Sequence, residues 1–196
     1  MLYKKFHTEE KENSLLGLGV MRLPADAEGN VDEETSVKLI RHAIDEGINY
    51  IDTGYTYHGG KSEVIIGEAL KDGYRQKVLL ADKLPTWLIE SEEDNAKYFN
   101  EQFERLGVDY IDMYLIHNII PENWEKVQKY NIIKFLEEQK AAGRIGHIGF
   151  SFHGASKLFT EVIDAYSWEF CQIQLNYLDK DEQATLKGLE YAASKG

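Results

Sequence analysis

The segments Gly47-Ile-Asn-Tyr-Ile-Asp52 and Gly107-Val-Asp-Tyr-Ile-Asp112 are near copies of one another, and the pattern that they share decides the fold. In both copies a glycine follows a stretch with helical periodicity, and glycine readily takes the left-handed conformation that closes many helices. The residues after the glycine include Tyr and Ile, which are enriched in strands. Each copy therefore predicts a helix that ends at the glycine and a strand that begins soon after it.

The same order of elements continues along the chain. Asp32 is a suitable N-cap for the helix before Gly47, and Val37, Ile40 and Ile44 share one face of that helix. The pattern predicts six strand–helix units in all. Strands are predicted over residues 15–19, 49–53, 78–83, 110–117, 145–150 and 169–174, and helices over residues 32–47, 61–71, 91–106, 122–142, 156–166 and 181–195.

This regular alternation predicts an α/β fold whose parallel strands are joined by crossover helices, either a doubly wound sheet or a barrel. The internal repeat and the polar residues at several successive strand ends favour a (β/α)8 barrel of the TIM type. Six of the eight units of such a barrel are present. We therefore expect residues 1–196 to form a single, incomplete barrel domain.

The last residues repeat the pattern that ends the earlier helices. Ser194-Lys195-Gly196 resembles the helix ends at Gly47, Gly107 and Gly143, each of which is followed at once by a predicted strand. We therefore expect a seventh strand to begin at residue 197, and the C-terminal part of the barrel to be missing through truncation or proteolysis. A shortened gene product could instead form a homo-oligomer through its open barrel edges.

Composition excludes several classes of partner. The chain has 22 basic and 34 acidic residues, and its net charge of -12 opposes binding to nucleic acid or to an anionic membrane surface. Cys171 is the single cysteine, so the chain can form no internal disulfide and cannot by itself hold an iron–sulfur cluster. No apolar run approaches the roughly 18 residues of a membrane span. We predict a cytoplasmic protein without nucleic-acid or membrane partners and without a metal site.

Four polar residues follow successive predicted strands and are the candidate catalytic group. Asp52 and Tyr57 come after the second strand, Lys83 ends the third and His117 ends the fourth. Parallel strands in one sheet would bring these residues to one rim. An acid, a cation that stabilises its phenolate form and a neutral imidazole could there deliver a proton to a carbonyl oxygen.

Each of these residues also has a simpler interpretation. Asp52 could be a turn residue, Tyr57 a loop aromatic, Lys83 a surface lysine and His117 a packed core histidine. A different chemistry is open as well, because a barrel lysine such as Lys83 can form a Schiff base when it is uncharged, which would make the protein a lyase.

The four residues together resemble the catalytic tetrad of the aldo/keto reductase family, in which Asp52, Tyr57, Lys83 and His117 match its Asp, Tyr, Lys and His. Other segments resemble that family in the same order along the chain. They are Gly17-Leu-Gly-Val-Met-Arg-Leu-Pro24, Tyr57-His-Gly-Gly-Lys-Ser-Glu63, Lys83-Leu-Pro85, Gly149-Phe-Ser-Phe-His-Gly154 and Gln172-Ile-Gln-Leu-Asn-Tyr-Leu178.

The resemblance implies NADPH-dependent reduction of an aldehyde or ketone, with Tyr57 as the proton donor. It implies that Lys83 and Asp52 tune this tyrosine and that His117 orients the small-molecule carbonyl substrate. Further positions match the family's cofactor-binding residues and substrate pocket. They are Gly19, Val20, Met21, Ser151 and Gln172 for the cofactor, and Trp87 for the pocket.

The sequence departs from the family pattern at several places. Phe152 follows Ser151 where the family often has Asn, and Asp82 precedes Lys83 where a small or hydroxyl residue is commoner. We expect Asp82 to point away from the site, because neighbours on a strand alternate faces.

The chain most resembles the branch of the family whose barrel is followed by a ferredoxin-like iron–sulfur domain. The family's cofactor-binding segments after the seventh and eighth strands are not in this sequence. A second hypothesis is therefore a catalytically incompetent fragment that serves as a self-associating or binding scaffold.

Overall fold

The computed structural model describes residues 1–5 and 12–196, and its main feature is a parallel sheet of six strands that follow one another in chain order. An antiparallel hairpin precedes the sheet. The strands are β1 (Tyr3–Lys5) and β2 (Glu12–Ser14) in the hairpin, then β3 (Leu18–Gly19), β4 (Tyr50–Asp52), β5 (Leu79–Leu84), β6 (Ile111–Ile119), β7 (Ile145–Phe152) and β8 (Phe170–Ile173).

Helices connect the strands of the sheet, as the alternating pattern predicts for parallel neighbours. The helices are α1 (Glu33–Asp45), α2 (Lys61–Ala69), α3 (Glu92–Leu106), α4 (Pro121–Lys129), α5 (Ile132–Ala141), α6 (Ser156–Ala165) and α7 (Thr185–Ser194). Within the described ranges, no helix combines the length and the apolar character that crossing a membrane requires.

The sheet is curled into part of a barrel. A large apolar core lies between its outer face and the helices, whereas a small second cluster of Ala81, Met113 and Leu115 lies on the inner face. Tyr50 on β4 and Phe170 on β8 both pack against this inner cluster. Side chains from strands that are four positions apart in the sheet can share one small cluster only if the sheet curves around it. The predicted incomplete (β/α)8 barrel with six units is therefore confirmed.

The predicted helix ends depend on glycine as expected. Gly47, Gly107 and Gly143 have φ angles of 96°, 62° and 73°, in the left-handed region that suits glycine. At the other end of α1, the Asp32 carboxylate accepts a hydrogen bond from the Thr35 backbone N–H at 3.0 Å. The start and the end of this helix are thus fixed by local chemistry.

Three details of the sequence prediction were wrong or incomplete. The helix predicted over residues 122–142 is two helices, α4 and α5, because Asn131 takes a left-handed conformation with φ 52° between them. The last helix begins at Thr185 rather than at residue 181, since Gln183 and Thr185 also have positive φ. The hairpin of β1 and β2 was not predicted, and the side chain of Asn49 anchors it to the sheet.

Helices α2 and α3 approach each other closely at Gly67. A Cβ atom at position 67 would lie 2.9 Å from the carbonyl carbon of Leu106 and 3.1 Å from the carbonyl oxygen of Arg105. Backbone atoms cannot move aside as the end of a flexible side chain can. The approach of these two helices therefore requires the absence of a side chain at this position.

We expect Gly67→Ala to destabilise the protein by about 1 to 3 kcal/mol, because the added methyl group overpacks the contact between the two helices. In a helix without this contact, the same change would stabilise by about 1 kcal/mol. Urea unfolding measures whether the substitution lowers or raises the free energy of unfolding. The control is Val64→Ala on the exposed side of α2, for which a change within about 0.5 kcal/mol is expected.

Candidate active site

The four predicted catalytic residues come together at the C-terminal ends of the strands. Asp52 is the last residue of β4, Lys83 is next to last in β5, and His117 lies two residues before the end of β6. Tyr57 lies in a short 3-10 turn that follows β4. Because β4, β5 and β6 are parallel neighbours, the ends of all three meet at the same rim of the sheet.

Lys83 is the centre of the group and is 1% exposed. Its Nζ donates to Asp52 Oδ1 at 2.6 Å, to the Thr53 backbone oxygen and, at 3.4 Å, to the Tyr57 hydroxyl. An ammonium group has three donors, and each of them is used. The ammonium therefore has a fixed position between the carboxylate and the phenol.

Asp52 is buried together with this cation. Burial raises the pKa of Asp52, and the charge and hydrogen bond of Lys83 oppose that rise, with a smaller contribution from the Gln172 amide. The Lys83 ammonium thus supplies the main compensation for a carboxylate that is otherwise poorly solvated. An ion pair of this kind holds both partners in one geometry.

His117 is held in its neutral form. Burial and then the positive charge of Lys83 lower the pKa of His117 to about 3. Its ring packs edge-on against Trp87, with 5.0 Å between ring centroids, and against Tyr57 at 5.9 Å. No hydrogen-bond partner for the buried Nδ1 lies among the described residues. This favours the tautomer with the proton on Nε2, from which it can be donated to a ligand.

A bulge in β6 directly follows His117 and was not predicted from the sequence. The pairing of β6 with β7 shifts register between Ile116 and Ile119, and Asn118 has φ 59°. The Asn118 backbone N–H donates to Ser151 Oγ at 2.8 Å. A bulge of this kind re-aims neighbouring side chains, and here it lies beside the candidate catalytic imidazole.

A cleft of about 100 Å³ opens in front of these side chains. The tetrad members that line it are Tyr57, Lys83 and His117, whereas Asp52 lies behind Lys83. Two of the predicted cofactor residues, Ser151 and Gln172, line the same cleft. The remaining residues that line the cleft were not predicted from the sequence. One follows β7, one ends β8 and one follows β8. These are His153, Ile173 and Gln174.

The other predicted cofactor residues lie beside the cleft. Gly19 pairs with Asp52 across β3 and β4, and the Val20 backbone N–H donates to the Asp52 backbone oxygen at 3.0 Å. The Val20 side chain is buried, whereas Met21 is 49% exposed. The backbone of Gly19 and Val20 and the side chain of Met21 are therefore the parts of this loop that could reach a bound molecule.

Trp87, the predicted substrate-pocket residue, packs directly on His117. Its backbone oxygen accepts a hydrogen bond from Lys126 Nζ at 2.7 Å, which ties the loop after β5 to α4. Trp87 thus covers one side of the imidazole, although it does not line the 100 Å³ cleft itself.

Comparison with known proteins agrees with the family resemblance of the sequence motifs. The model of the aldo/keto reductase family matches residues 15–196. The aldo-keto reductase YhdN of Bacillus subtilis (strain 168) is 35% identical over 148 residues, which are 71% of this chain and 44% of that protein. The chain therefore spans less than half the length of this relative.

Solved structures of similar proteins agree with the fold. The holo form of the aldo-keto reductase AKR11C1 from Bacillus halodurans superimposes with a TM-score of 0.76 and 27% identity, covering 92% of this chain and 59% of that one. An aldo/keto reductase from Klebsiella pneumoniae in complex with NADP and acetate gives a TM-score of 0.59 and 27% identity, covering 71% of this chain and 46% of that one.

We expect Lys83→Met to destabilise the protein by about 3 to 5 kcal/mol near neutral pH, because the buried Asp52 carboxylate loses its partner. Without Lys83, the pKa of Asp52 in the folded protein remains above its value in the unfolded chain, so folding takes up a proton above about pH 4. The loss of stability caused by the substitution should therefore be smaller at acidic pH. Urea unfolding at several pH values measures this effect. The control is Lys61→Met, which removes an exposed lysine and should change stability by at most about 0.5 kcal/mol.

The depressed pKa of His117 predicts an acid-dependent loss of stability. Between its ordinary value of 6.5 and its folded value of about 3, the unfolded chain binds a proton that the folded chain does not. Stability is therefore fully present above about pH 6.5 and is lost as the pH falls through this window.

We expect His117→Gln to lessen the loss of unfolding free energy between pH 7 and pH 5 by roughly 2 kcal/mol, because glutamine takes up no proton. Urea unfolding at both pH values measures the difference. NMR of the His117 ring gives an independent check, and a ring that protonates near pH 6.5 would contradict the neutral assignment.

Proposed function

The chain belongs to the aldo/keto reductase family, and on that premise we propose that it provides the catalytic face for NADPH-dependent reduction of an aldehyde or ketone to an alcohol. In this proposal Tyr57 donates the proton to the carbonyl oxygen. Membership of the family implies an oxidoreductase. The direction of the reaction, the cofactor and the role of each residue belong to the proposal.

One observation carries this proposal: the Lys83 ammonium lies between a buried carboxylate and the Tyr57 hydroxyl. Its Nζ is 2.6 Å from Asp52 Oδ1 and 3.4 Å from the Tyr57 oxygen. A cation beside a phenol stabilises the phenolate that remains after the proton has been transferred. Asp52 holds the ammonium in that position. The Tyr57 hydroxyl is therefore next to this cation at the point where the cleft opens.

His117 provides a hydrogen-bond donor beside Tyr57, the proposed acid. As a neutral imidazole it can donate a hydrogen bond to the substrate carbonyl without competing with Tyr57 as a stronger acid. Its contacts with Tyr57 and Trp87 limit rotation of the ring. The carbonyl oxygen would then lie between the Tyr57 hydroxyl and the imidazole, with the substrate's remaining atoms near Trp87.

The residues of the cleft suit the carboxamide of a nicotinamide. Ser151 Oγ accepts from the Asn118 backbone N–H, so its own proton remains available to donate. The Gln172 side chain carries both a donor and an acceptor and lines the same cleft. NADPH supplies the hydride when it is bound. Ser151 and Gln172 would hold the nicotinamide amide, with the backbone at Gly19 and Val20 nearby. The NADP in the Klebsiella pneumoniae relative supports this cofactor.

Two narrower assignments are also part of the proposal. By its overall resemblance, the chain is assigned to the branch of the family in which a ferredoxin-like iron–sulfur domain follows the barrel. The single free thiol of Cys171 suits the reducing conditions of the cytoplasm.

A second candidate function is that of a self-associating or binding scaffold. The strands β3 and β8 are the edges of the described sheet and have a neighbour on one side only. Close to β8, Tyr177 and Leu178 are 90% and 76% exposed, so two large side chains near that edge are available for contact with a partner. Titration of this chain with NADPH, followed by fluorescence, separates the candidates, since tight binding contradicts the scaffold. Sedimentation measures whether the chain self-associates.

We expect Tyr57→Phe to lower NADPH-dependent carbonyl reduction by about 10²- to 10⁴-fold, because the phenyl ring has no proton to give. The measurement is NADPH absorbance with simple aldehydes. The matched control is Tyr55→Phe, which removes a hydroxyl from the same loop, where it donates to Glu101 rather than facing the cleft. Equal turnover by the two variants would contradict the assigned role of Tyr57.

A further inference from the structure

The Lys83 backbone lies in β5 and pairs with Leu115 of β6, but it lies beyond the last paired residues of β4 and β5. Along β5, the hydrogen bonds Leu79 N–H to Asn49 O and Thr53 N–H to Ala81 O join this strand to the segment of β4. If the ladder continued, the Lys83 N–H would donate to Thr53 O. The Lys83 ammonium takes that oxygen instead. The Lys83 peptide groups therefore need partners from outside the ladder, because buried backbone groups are rarely left unpaired.

Two side chains behind the sheet supply these partners. The Asp82 Oδ1 atom accepts from the Lys83 N–H at 2.8 Å, and Gln102 Nε2 donates to the Lys83 carbonyl oxygen at 3.0 Å. Asp82 is on β5 itself and points to the outer face, as its alternation with Lys83 predicts. Gln102 comes from α3. The residue that carries the catalytic ammonium is thus held at both its N–H and its C=O.

The orientation of the Gln102 amide is fixed by a third residue. The Tyr114 hydroxyl donates to Gln102 Oε1 at 2.5 Å, which leaves Nε2 to face Glu63 Oε1 at 3.1 Å as well as the Lys83 oxygen. Arg105 Nη1 donates to the other oxygen of Glu63 at 2.9 Å. Both oxygens of Glu63 therefore have donors, as an ionised carboxylate requires.

The second oxygen of Asp82 has a different environment. Asp82 and Glu63 are both 0% exposed, and they are close enough for the charge of Glu63 to act on Asp82. Asp82 Oδ2 faces no nitrogen or hydroxyl donor among the described residues. Two ionised carboxylates at this distance would repel each other, whereas one proton between them forms a hydrogen bond. Burial, and then the charge of Glu63, raise the pKa of Asp82 well above its usual value.

We propose that Asp82 is a positioning residue for Lys83 and that it stays protonated in the folded protein, donating its proton to Glu63. Burial raises the pKa of Glu63 as well, but the hydrogen bonds of Arg105 and Gln102 oppose that rise, so Glu63 is the partner that keeps its charge. Asp82 then accepts from the Lys83 N–H through Oδ1 and donates through Oδ2, so both of its oxygens are paired. Folding takes up one proton from solvent at this position.

A neutral Asp82 matters for the candidate active site on the other face of β5. An ionised carboxylate one residue from Lys83 would add a second negative charge close to the ammonium. The protonated acid removes that competitor, so Asp52 is the carboxylate with which the Lys83 ammonium pairs. Only this catalytic meaning rests on the proposed function. The protonation itself can be tested without cofactor or turnover.

The main test compares Asp82→Asn with the unchanged chain in urea unfolding across pH. Asparagine keeps the acceptor for the Lys83 N–H and the donor for Glu63 but cannot ionise. Above about pH 4, the unfolded wild-type chain loses a proton that the folded chain keeps, so its unfolding equilibrium constant should rise relative to the variant by up to about tenfold per pH unit. Groups that titrate equally in both proteins, such as Asp52 on the other face of β5, cancel in this ratio.

A pH-independent ratio would overturn the proposal, since it would mean that Asp82 is ionised in the fold. The matched control is Asp112→Asn, because Asp112 also accepts a backbone N–H on a neighbouring strand but pairs with Arg75. Loss of that ion pair should destabilise the protein near neutral pH, the opposite sign to Asp82→Asn.

A spectroscopic test needs no variant. In the chain labelled with ¹³C-aspartate, the carboxyl carbon of Asp82, assigned through its own Cβ, should keep the chemical shift of a protonated acid at about pH 7. A carboxylate shift at that pH would overturn the proposal even if Asp82→Asn failed to fold.

The positioning role is tested by hydrogen exchange at the Lys83 amide. Asp82→Ala removes the acceptor and should speed exchange by up to about tenfold, whereas Asp82→Asn should retain protection. Equal exchange in the two variants would show that Asp82 does not hold Lys83. Because none of these measurements uses NADPH, they remain decisive if Tyr57→Phe shows that the proposed reaction is wrong.

Discussion

The buried ion pair between Lys83 and Asp52 is the interaction on which the rest of this site depends. Removing an ammonium group and a carboxylate from water costs several kcal/mol for each ion, and close pairing with further hydrogen bonds must offset that cost. Lys83 has such bonds, because its three donors reach Asp52, the Thr53 oxygen and the Tyr57 hydroxyl. This single cation also contacts the Tyr57 hydroxyl and, together with burial, keeps His117 neutral.

The side chains on the two faces of β5 have different electrostatic environments. Lys83 points into the curled sheet, where its charge stabilises Asp52 and disfavours protonation of His117. Asp82 points outward to Glu63 and the helices that cover the sheet. Strand alternation places the side chains of residues 82 and 83 on opposite faces of β5. The outer hydrogen bonds nevertheless act on the inner site, because they fix the peptide from which the lysine extends.

Much of the fold follows from local sequence signals. Apolar periodicity and glycine at helix ends predict six strand–helix units, because both features act over a few residues. The single helix predicted over residues 122–142 was wrong, since the left-handed turn at Asn131 leaves the apolar pattern on either side almost unchanged. The hairpin before the sheet was missed because its attachment to Asn49 joins residues that are far apart in the chain.

The sequence by itself determined the fold class, the family and the identity of the four candidate catalytic residues, because strand order places successive strand ends at one rim. Only the tertiary structure decided how these residues are charged and held. The bulge beside His117, the contact of Ser151 with Asn118 and the hydrogen bonds of Gln102 to Glu63 and Lys83 join residues from different elements. Such contacts depend on distances and on burial, which set the cost of each charge and which no local pattern of residues encodes.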